Sequence, residues 1–293
     1  MLRPVLNIDE VTAFLEEWSG GSVAGVSQFS NGQVSSVFGF EVKGGDRSGK
    51  YVVRFVSQEN SGGLKKDRFI GPRAAAVSVP VPRLLEHGEV SMAVGNLSDE
   101  ERLSHSSESF PLAYAICDLM PGEHMDELQD EERRHLVQSA VEVMDKISLI
   151  DISDTRGYGW FDGERNGQRA SWAEYVAEEE FSREPDGFYN RRRAWFDVGG
   201  GFLEASVFEH FPKRMMSILA GLPEVERSVV HIDFGYDNTL VAGSEVSAVL
   251  DWDNSIIEEH LYDGARTGLY APGIDFKKLF IDRYAVTGRG VSR

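Results

Sequence analysis

The stretch VVHIDFGYDN, residues 229–238, decides how this chain is interpreted. A short apolar run leads to His231, Asp233 follows two residues later, and Asn238 stands five residues beyond that aspartate. A second apolar run, AVLDW at residues 248–252, delivers another acidic residue. This pattern predicts short buried strands with polar residues where the strands end.

The same order of polar residues is typical of phosphoryl-transfer centres. Asp233 is predicted to be catalytic, since such a carboxylate orients the acceptor hydroxyl and takes its proton late in the reaction. Asn238 and Asp251 offer oxygen ligands of the kind that Mg²⁺ prefers. His231 is predicted to belong to the catalytic loop and to support its conformation rather than to transfer protons. The alternative is a plain hairpin with polar turns, which the place of Asp251 at the end of an apolar strand disfavours.

A phosphate-binding loop is predicted at residues 29–36, between two strands. Backbone amides and hydroxyl groups in such a loop can cover the phosphates of a nucleotide. The candidate residues are Asn31, Gly32, Ser35 and Ser36.

Arg54 is the predicted cation of the site. It stands within the apolar run YVVRFV, residues 51–56, where a charge needs a partner. Asp67, on the next predicted helix, is the expected partner. A purely structural ion pair is the alternative, and contact between Arg54 and a phosphate is favoured over it.

The order of predicted elements favours an α+β fold of two lobes joined by a hinge. Short apolar runs separated by Gly, Asn and Ser predict an antiparallel, β-rich, nucleotide-binding lobe over residues 1–120. Apolar residues at helical spacing then predict a mainly helical catalytic and acceptor-binding lobe over residues 121–293. The strand at 112–119 is the expected hinge, whose backbone would bind an adenine edge. The candidate residues there are Asp118, Leu119 and Met120.

Charge and composition limit the classes of partner. The net charge of −18 disfavours nucleic acid and anionic membrane surfaces and is compatible with a small cationic, hydroxylated substrate, although acidity also serves solubility. The single cysteine, Cys117, excludes an intramolecular disulfide and a cysteine-based zinc site. The N-terminus does not resemble a signal peptide, and no apolar run is long enough to span a bilayer. A cytoplasmic monomer or weak dimer is expected.

In the segments that carry these candidate site residues, the chain resembles the aminoglycoside phosphotransferase family, whose fold is protein-kinase-like. The hygromycin B phosphotransferases are the most similar group. The resemblance extends over about residues 5–265. It is carried by YVVRFV (51–56), KDRFI (66–70), VPVPRLLEHGE (79–89), GYGWF (157–161), SWAEYV (171–176), VVHIDFGYDNTL (229–240), VSAVLDWDNS (246–255) and LYDGA (261–265).

The resemblance implies a kinase that uses ATP or GTP with Mg²⁺, phosphorylates a hydroxyl of an aminoglycoside-type antibiotic and confers resistance. It implies Asp233 as the catalytic base, with Asn238 and Asp251 as magnesium ligands. Arg54 with Asp67 would replace the usual Lys–Glu pair.

Two further residues take expected roles from the same resemblance. Asp263 would brace the catalytic region, and Asp253 would act beside the metal. Acidic residues would suit a polycationic acceptor. The candidates for that contact are Glu178, Glu179, Glu180, Asp186, Glu258 and Glu259.

Two departures from the family pattern concern the acceptor. The polar segment at residues 92–109 is longer than a tight hairpin, and the chain ends about 30 residues after Asp263, with one more helix predicted at roughly 275–285. The acceptor pocket is therefore expected to be more open, completed by a partner subunit, or lost. The alternatives are a kinase for a macrolide, sugar or amino alcohol, and a nucleotide-binding pseudokinase without turnover.

Overall fold

The computed structural model describes residues 3–30, 32, 34–95, 109–161, 166–181, 213–270 and 276–287. Contacts between residues divide the chain into two compact units. Unit 1 comprises Met1–Lys146 and Asp233–Asn254, and unit 2 comprises Ile147–Ile232 and Ser255–Arg293. Each unit combines helices with antiparallel strands, which confirms the predicted α+β class.

The helices are α1 (Ile8–Ser19), α2 (Gly62–Ala76), α3 (Asp130–Ile147), α4 (Trp172–Phe181), α5 (Leu261–Tyr270) and α6 (Phe276–Thr287), and residues 213–219 are also helical. The strands are β1 (Ser22–Gln28), β2 (Ser36–Lys43), β3 (Gly49–Ser57), β4 (Leu84–Ala93), β5 (Ser109–Asp118), β6 (Glu123–His124), β7 (Tyr158–Phe161), β8 (Gly167–Arg169), β9 (Ser228–Val230), β10 (Thr239–Ala242), β11 (Glu245–Val249) and β12 (Ile256–Glu258). Short 3₁₀ turns cover Gln58–Asn60, Met125–Glu127, Tyr236–Asn238 and Trp252–Asn254.

The larger sheet of unit 1 has five antiparallel strands in the order β1-β2-β3-β5-β4. Successive side chains of a strand point to opposite faces, so alternate residues of β2 and β3 reach one core. There the rings of Phe38 and Phe55, both almost fully buried, meet edge to face with centroids 6.2 Å apart. This packing fixes β3, the strand that carries Arg54.

Helix α1 packs its apolar face into the same core. Its start is fixed by Asn7, whose side-chain oxygen accepts a hydrogen bond from the N–H of Asp9 at 2.8 Å. Its end is fixed by Gly20, which has φ of 63°, a left-handed conformation that glycine adopts without steric cost. These two caps set the length of α1.

A second sheet of unit 1 has the order β11-β10-β6. The β10–β11 hairpin lies between Asn238 and Asp251, whereas the apolar run before His231 forms β9 in the sheet of unit 2. One short strand extends the hairpin, because Leu240 of β10 also pairs with His124 of β6. The Ser247 hydroxyl of β11 donates to the carbonyl of Pro121 at 2.6 Å. These bonds retain the chain beyond residue 120 in unit 1.

The two compact units therefore differ from the predicted lobes, whose boundary was placed between residues 120 and 121. Unit 1 continues to Lys146 and takes in the later segment Asp233–Asn254. Unit 1 takes in both segments because β6 pairs with β10, although the two strands are far apart in the sequence. The functional assignment of the two lobes stays a prediction.

Unit 2 contains a four-stranded sheet in the order β8-β7-β12-β9. Its central residue Ile256 pairs with Trp160 on one side and Val230 on the other, and it is almost completely buried. Helix α6, at Phe276–Thr287, has nearly the same residue bounds as the helix predicted at about 275–285. In the described part of the chain, no helix is both long and apolar enough to cross a bilayer.

Candidate active site

The predicted loop and hairpin residues meet at one end of β10 and β11, within unit 1. Thr239 pairs with Val249, and the N–H of Leu250 donates to the carbonyl of Asn238 at 2.9 Å. Asn238 therefore stands beside the segment that leads into Asp251. Because the ladder of a short hairpin is local in sequence, the spacing of the motif is sufficient to predict this neighbourhood.

Asp233 is held by two side-chain amides. Nδ2 of Asn254 donates to Oδ2 of Asp233 at 2.5 Å, and Nδ2 of Asn238 donates to the main-chain carbonyl of Asp233 at 3.2 Å. The first bond orients the carboxylate and the second fixes the loop around it. Asn254 was not among the predicted site residues. Its only sequence signal is its place three residues after Asp251.

Asp251 occupies the left-handed backbone region, with φ of 59°. This region is uncommon for residues other than glycine, and aspartate tolerates it because its short side chain can hydrogen-bond locally. The side chain is about half exposed, at 49%, and its Oδ1 lies 3.7 Å from the guanidinium of Arg54. Strained backbone of this kind persists where the surroundings enforce it, often at functional sites.

Arg54 pairs with Asp67 as predicted, with Nη1 and Oδ2 separated by 2.8 Å. The same guanidinium also faces Asp251, so it bridges a carboxylate of α2 and the carboxylate that follows β11. Burial by itself lowers the pKa of Arg54, but Asp67 and Asp251 outweigh that effect and raise it above its ordinary value. Burial raises the pKa of Asp67, Arg54 opposes that rise, and Asp251 adds to it. Arg54 therefore stabilises the ionised form of Asp67.

The neighbouring carboxylates favour an added cation. Burial raises the pKa of Asp253, and the charge of Asp251 raises it further. A divalent ion beside Asp251 would relieve that repulsion. The crowding of acidic groups is therefore consistent with a metal site.

The residues present fit Mg²⁺. In the described ranges no cluster of three or more His, Cys, Asp or Glu could enclose a metal on its own. Mg²⁺ normally takes only one or two protein carboxylates, with phosphate oxygens and water completing its shell. The exposed Asp251 supplies a carboxylate, and Asn238, whose Nδ2 is committed to Asp233, has its carbonyl oxygen as the remaining ligand.

Asp263 braces the chain just before Asp233, through two hydrogen bonds to main-chain N–H groups. Its Oδ2 accepts from the N–H of His231 at 2.7 Å and its Oδ1 from the N–H of Ile232 at 2.8 Å. All three residues belong to unit 2, and Ile232 has φ of 68°. His231 is fully buried, which suits a scaffold better than a group that carries protons in and out.

The predicted phosphate loop is held from the N-terminal side. The guanidinium of Arg3 donates to the carbonyls of Phe29 at 2.9 Å, Ser30 at 3.0 Å and Gly32 at 3.3 Å. Asn31 lies outside the described residues, and Ser35 is half-buried. Binding of a phosphate by Gly32 and Ser35 stays a prediction.

Ser36 calls for a correction to the predicted phosphate-binding set. It is fully buried at the start of β2, and its hydroxyl donates to the carbonyl of Pro4. A hydroxyl buried and engaged in this way is not placed to meet a phosphate. Its interior position follows from the alternation of β2, which faces Phe38 and Phe40 to the core.

The hinge offers fewer backbone groups than expected. The N–H of Asp118 donates to the carbonyl of Arg83 at 3.1 Å, and that of Leu119 donates to the carbonyl of Lys50 at 3.0 Å. The side chain of Asp118 is paired with Arg83 at 3.0 Å. An adenine edge would therefore have to use carbonyl oxygens of this segment or the N–H of Met120. Binding of adenine at the hinge stays a prediction.

Two of the acidic residues predicted for acceptor binding are engaged inside unit 2. Glu258 is 3% exposed and accepts from the indole N–H of Trp172 at 2.9 Å. Glu259 accepts from the N–H of Leu261 at 3.0 Å and lies 2.9 Å from His260. The side chains of Glu178, Glu179 and Glu180, all of Asp186 and most of residues 92–109 lie outside the described residues.

Comparison with known families gives an independent assignment. The phosphotransferase enzyme family (APH) matches residues 25–291, which is most of the chain. Hygromycin-B 4-O-kinase from Escherichia coli is 28% identical over 272 residues, covering 93% of this chain and 70% of that protein.

Solved structures agree. The crystal structure of aminoglycoside phosphotransferase APH(4)-Ia matches with a TM-score of 0.71 at 26% identity, covering 96% of this chain and 83% of that one. A thermostable variant of APH(4)-Ia in ternary complex with AMP-PNP and hygromycin B matches with a TM-score of 0.70 at 27% identity, covering 96% and 84%. These likenesses confirm the predicted protein-kinase-like fold.

Proposed function

The chain belongs to the phosphotransferase enzyme family, and we propose that it transfers the γ-phosphoryl group of ATP to a hydroxyl of an aminoglycoside of the hygromycin B type. The family assignment makes it a small-molecule phosphotransferase. The nucleotide, the metal and the acceptor go beyond that assignment. In a cell, phosphorylation of such an acceptor would confer resistance to it.

The observation that carries the proposal is that the side chains of two asparagines hydrogen-bond to Asp233 and fix its position. Asn254 binds its carboxylate and Asn238 binds its carbonyl, at 2.5 Å and 3.2 Å. In phosphoryl transfer the protein contributes little covalent chemistry and mainly aligns the reacting groups. A carboxylate that is held in a fixed orientation meets that requirement.

Asp233 would receive the acceptor proton. The acceptor hydroxyl would donate a hydrogen bond to the carboxylate, which aligns the oxygen with the γ-phosphorus. As the new P–O bond forms, the bond from the γ-phosphorus to the β–γ bridging oxygen would break and release ADP, and the hydroxyl proton would pass to Asp233. Asn254 stabilises the orientation that this transfer needs. The carboxylate is half-buried and belongs to unit 1, as do the other proposed phosphate-handling groups.

Asn238 and Asp251 would hold Mg²⁺ through their side-chain oxygens. When bound, the ion neutralises charge on the phosphate oxygens. Arg54 would add a positive charge beside Asp251, because its guanidinium already bridges Asp67 and Asp251. Its second role would be to hold those two carboxylates in place.

The nucleotide is proposed to be ATP because structures of thermostable APH(4)-Ia variants contain ADP in one case and AMP-PNP in another, both of which are adenine nucleotides. The acceptor is proposed from the same relatives, whose complexes contain hygromycin B. The net charge of −18 suits a cationic acceptor.

The test is a coupled assay of nucleoside diphosphate release with purified protein, Mg²⁺ and either ATP or GTP. Acceptors would be hygromycin B, other aminoglycosides, a macrolide and small amino sugars, with mass spectrometry of each acceptor. We expect ATP-dependent gain of one phosphoryl group on hygromycin B or a related aminoglycoside, and no gain with Asp233→Ala.

Two results would contradict the proposal. Phosphorylation of a macrolide or sugar with no aminoglycoside turned over would move the protein to another acceptor class. Binding of nucleotide without transfer to any acceptor would favour a pseudokinase.

A further inference from the structure

Lys66 is a buried lysine in α2 that the predicted site did not include. Only 6% of the residue is exposed, and its Nζ donates to the main-chain carbonyl of Asp253 at 2.6 Å. Burying an ammonium group is costly unless it is paired and hydrogen-bonded. The bond to Asp253 therefore matters to the position of both segments.

Three residues of α2 hold the turn Trp252–Asn254. Lys66 binds the carbonyl of Asp253, and Oδ1 of Asp67 accepts from the N–H of Trp252 at 3.3 Å. Gly63 packs directly on the side chain of Asp253, where an added Cβ would lie 2.9 Å from Cγ. Positions 63, 66 and 67 share one face of a helix because residues three and four apart are neighbours.

The turn connects two residues of the proposed phosphoryl-transfer site. Asp251 precedes it, in a left-handed backbone that the surroundings must enforce, and Asn254 ends it with its bond to the carboxylate of Asp233. A displacement of the turn would therefore move the proposed metal ligand and loosen the proposed base together.

We propose that Lys66 is a positioning residue, which fixes the turn Trp252–Asn254 on α2 and thereby sets Asp251 and Asp233 at once. The proposal rests on the proposed function of the site. Lys66 itself touches neither nucleotide nor acceptor in this role. Loss of the Lys66 side chain should lower kcat and weaken the binding of Mg²⁺ together with nucleotide. It should change KM for the acceptor little.

The first experiment compares Lys66→Met with Lys65→Met. Methionine keeps the length of the side chain and removes the donor, and Lys65 is the exposed neighbour on the same helix. We expect Lys66→Met to lower kcat about tenfold and to raise the Mg²⁺ concentration at half-maximal rate, as loss of a charged hydrogen bond implies. Lys65→Met should leave both unchanged.

A second measurement does not depend on turnover. Calorimetric titration with AMP-PNP, at a series of Mg²⁺ concentrations, should show weaker Mg²⁺-dependent binding for Lys66→Met and unchanged binding for Lys65→Met. A purely structural role would lower the unfolding temperature and leave the Mg²⁺ dependence of the folded protein as in the wild type. That result would overturn the proposal.

Gly63→Ala keeps the inference testable if Lys66→Met does not fold. Alanine favours a helix over glycine, so α2 itself is not weakened, but the new Cβ must displace Asp253. Gly62→Ala is the matched control, since nothing lies within 4 Å of a Cβ there. We expect Gly63→Ala, unlike Gly62→Ala, to lower kcat and to raise the Mg²⁺ concentration at half-maximal rate. Wild-type kinetics from a folded Gly63→Ala would refute the coupling.

The wild-type assay separates the two levels of inference. An inactive wild type, tested across the acceptor panel, would count against the proposed function. An active wild type whose kcat and Mg²⁺ dependence survive both Lys66→Met and Gly63→Ala would count against the role of Lys66 alone.

Discussion

The side-chain amide of Asn254 donates to Oδ2 of Asp233 at 2.5 Å, although 21 positions separate the two residues in the chain. The connection runs through the β10–β11 hairpin and the turn Trp252–Asn254, so the residue that orients the proposed base is carried by the turn that follows the proposed metal ligand. The proposed base and the proposed metal ligand are thereby linked through one turn.

Asn254→Ala should reduce kcat and leave KM for ATP almost unchanged. The lost bond is to a charged group, so a reduction of about 10- to 100-fold is expected. Asn254→Asp should be worse, because it replaces the amide donor by a second carboxylate, whose negative charge repels that of Asp233. Steady-state kinetics of both variants provides the check, and equal activity of Asn254→Ala and wild type would show that the bond does not matter to catalysis.

Arg54→Ala should lose both stability and activity. It leaves Asp67 half-buried without its guanidinium, which should cost about 2 kcal/mol of unfolding free energy, less than for a fully buried pair. Arg54→Lys keeps the charge but cannot bridge two carboxylates, so it should recover stability in part and activity less. Urea unfolding and kcat measure the two effects, and unchanged stability of Arg54→Ala would exclude the bridging role.

Asp251→Asn and Asp251→Ala should separate charge from backbone strain. Both variants should abolish Mg²⁺-dependent transfer, because both remove the carboxylate. Asparagine tolerates the left-handed backbone at φ of 59°, whereas alanine should cost about 1 kcal/mol more in stability. Thermal unfolding of the two variants tests the difference, and retained transfer in Asp251→Asn would argue against its role as a metal ligand.

Cys117 should resist alkylation in the folded protein. Burial raises the pKa of its thiol to about 12, so almost none of it is thiolate at pH 8. Because it is the single cysteine, mass spectrometry of iodoacetamide-treated protein reports on it alone. Labelling should be at least about 100-fold slower in buffer than in urea, and similar rates would indicate that β5 opens readily.

The sequence was sufficient for the parts of the site that are local in the chain. Asp233, Asn238 and Asp251 lie together because one hairpin connects them, and hairpin pairing follows from spacing. Arg54 and Asp67 were predicted as a pair because a charge in an apolar strand demands a partner.

Tertiary contacts account for what the sequence did not reveal. The bond from Lys66 to Asp253 spans 187 positions, and no local pattern distinguishes Lys66 from the exposed Lys65. The N–H groups of Asp118 and Leu119 are used by Arg83 and Lys50 on neighbouring segments, which a strand pattern cannot show.

The most direct test of phosphoryl transfer at Asp233 is transfer from Mg²⁺-ATP to hygromycin B by the wild type and by Asp233→Asn. Asparagine keeps the shape of the side chain and cannot take the proton, so we expect normal AMP-PNP binding and a fall in kcat of at least about 100-fold. Transfer by Asp233→Asn at the wild-type rate would contradict Asp233 as the base.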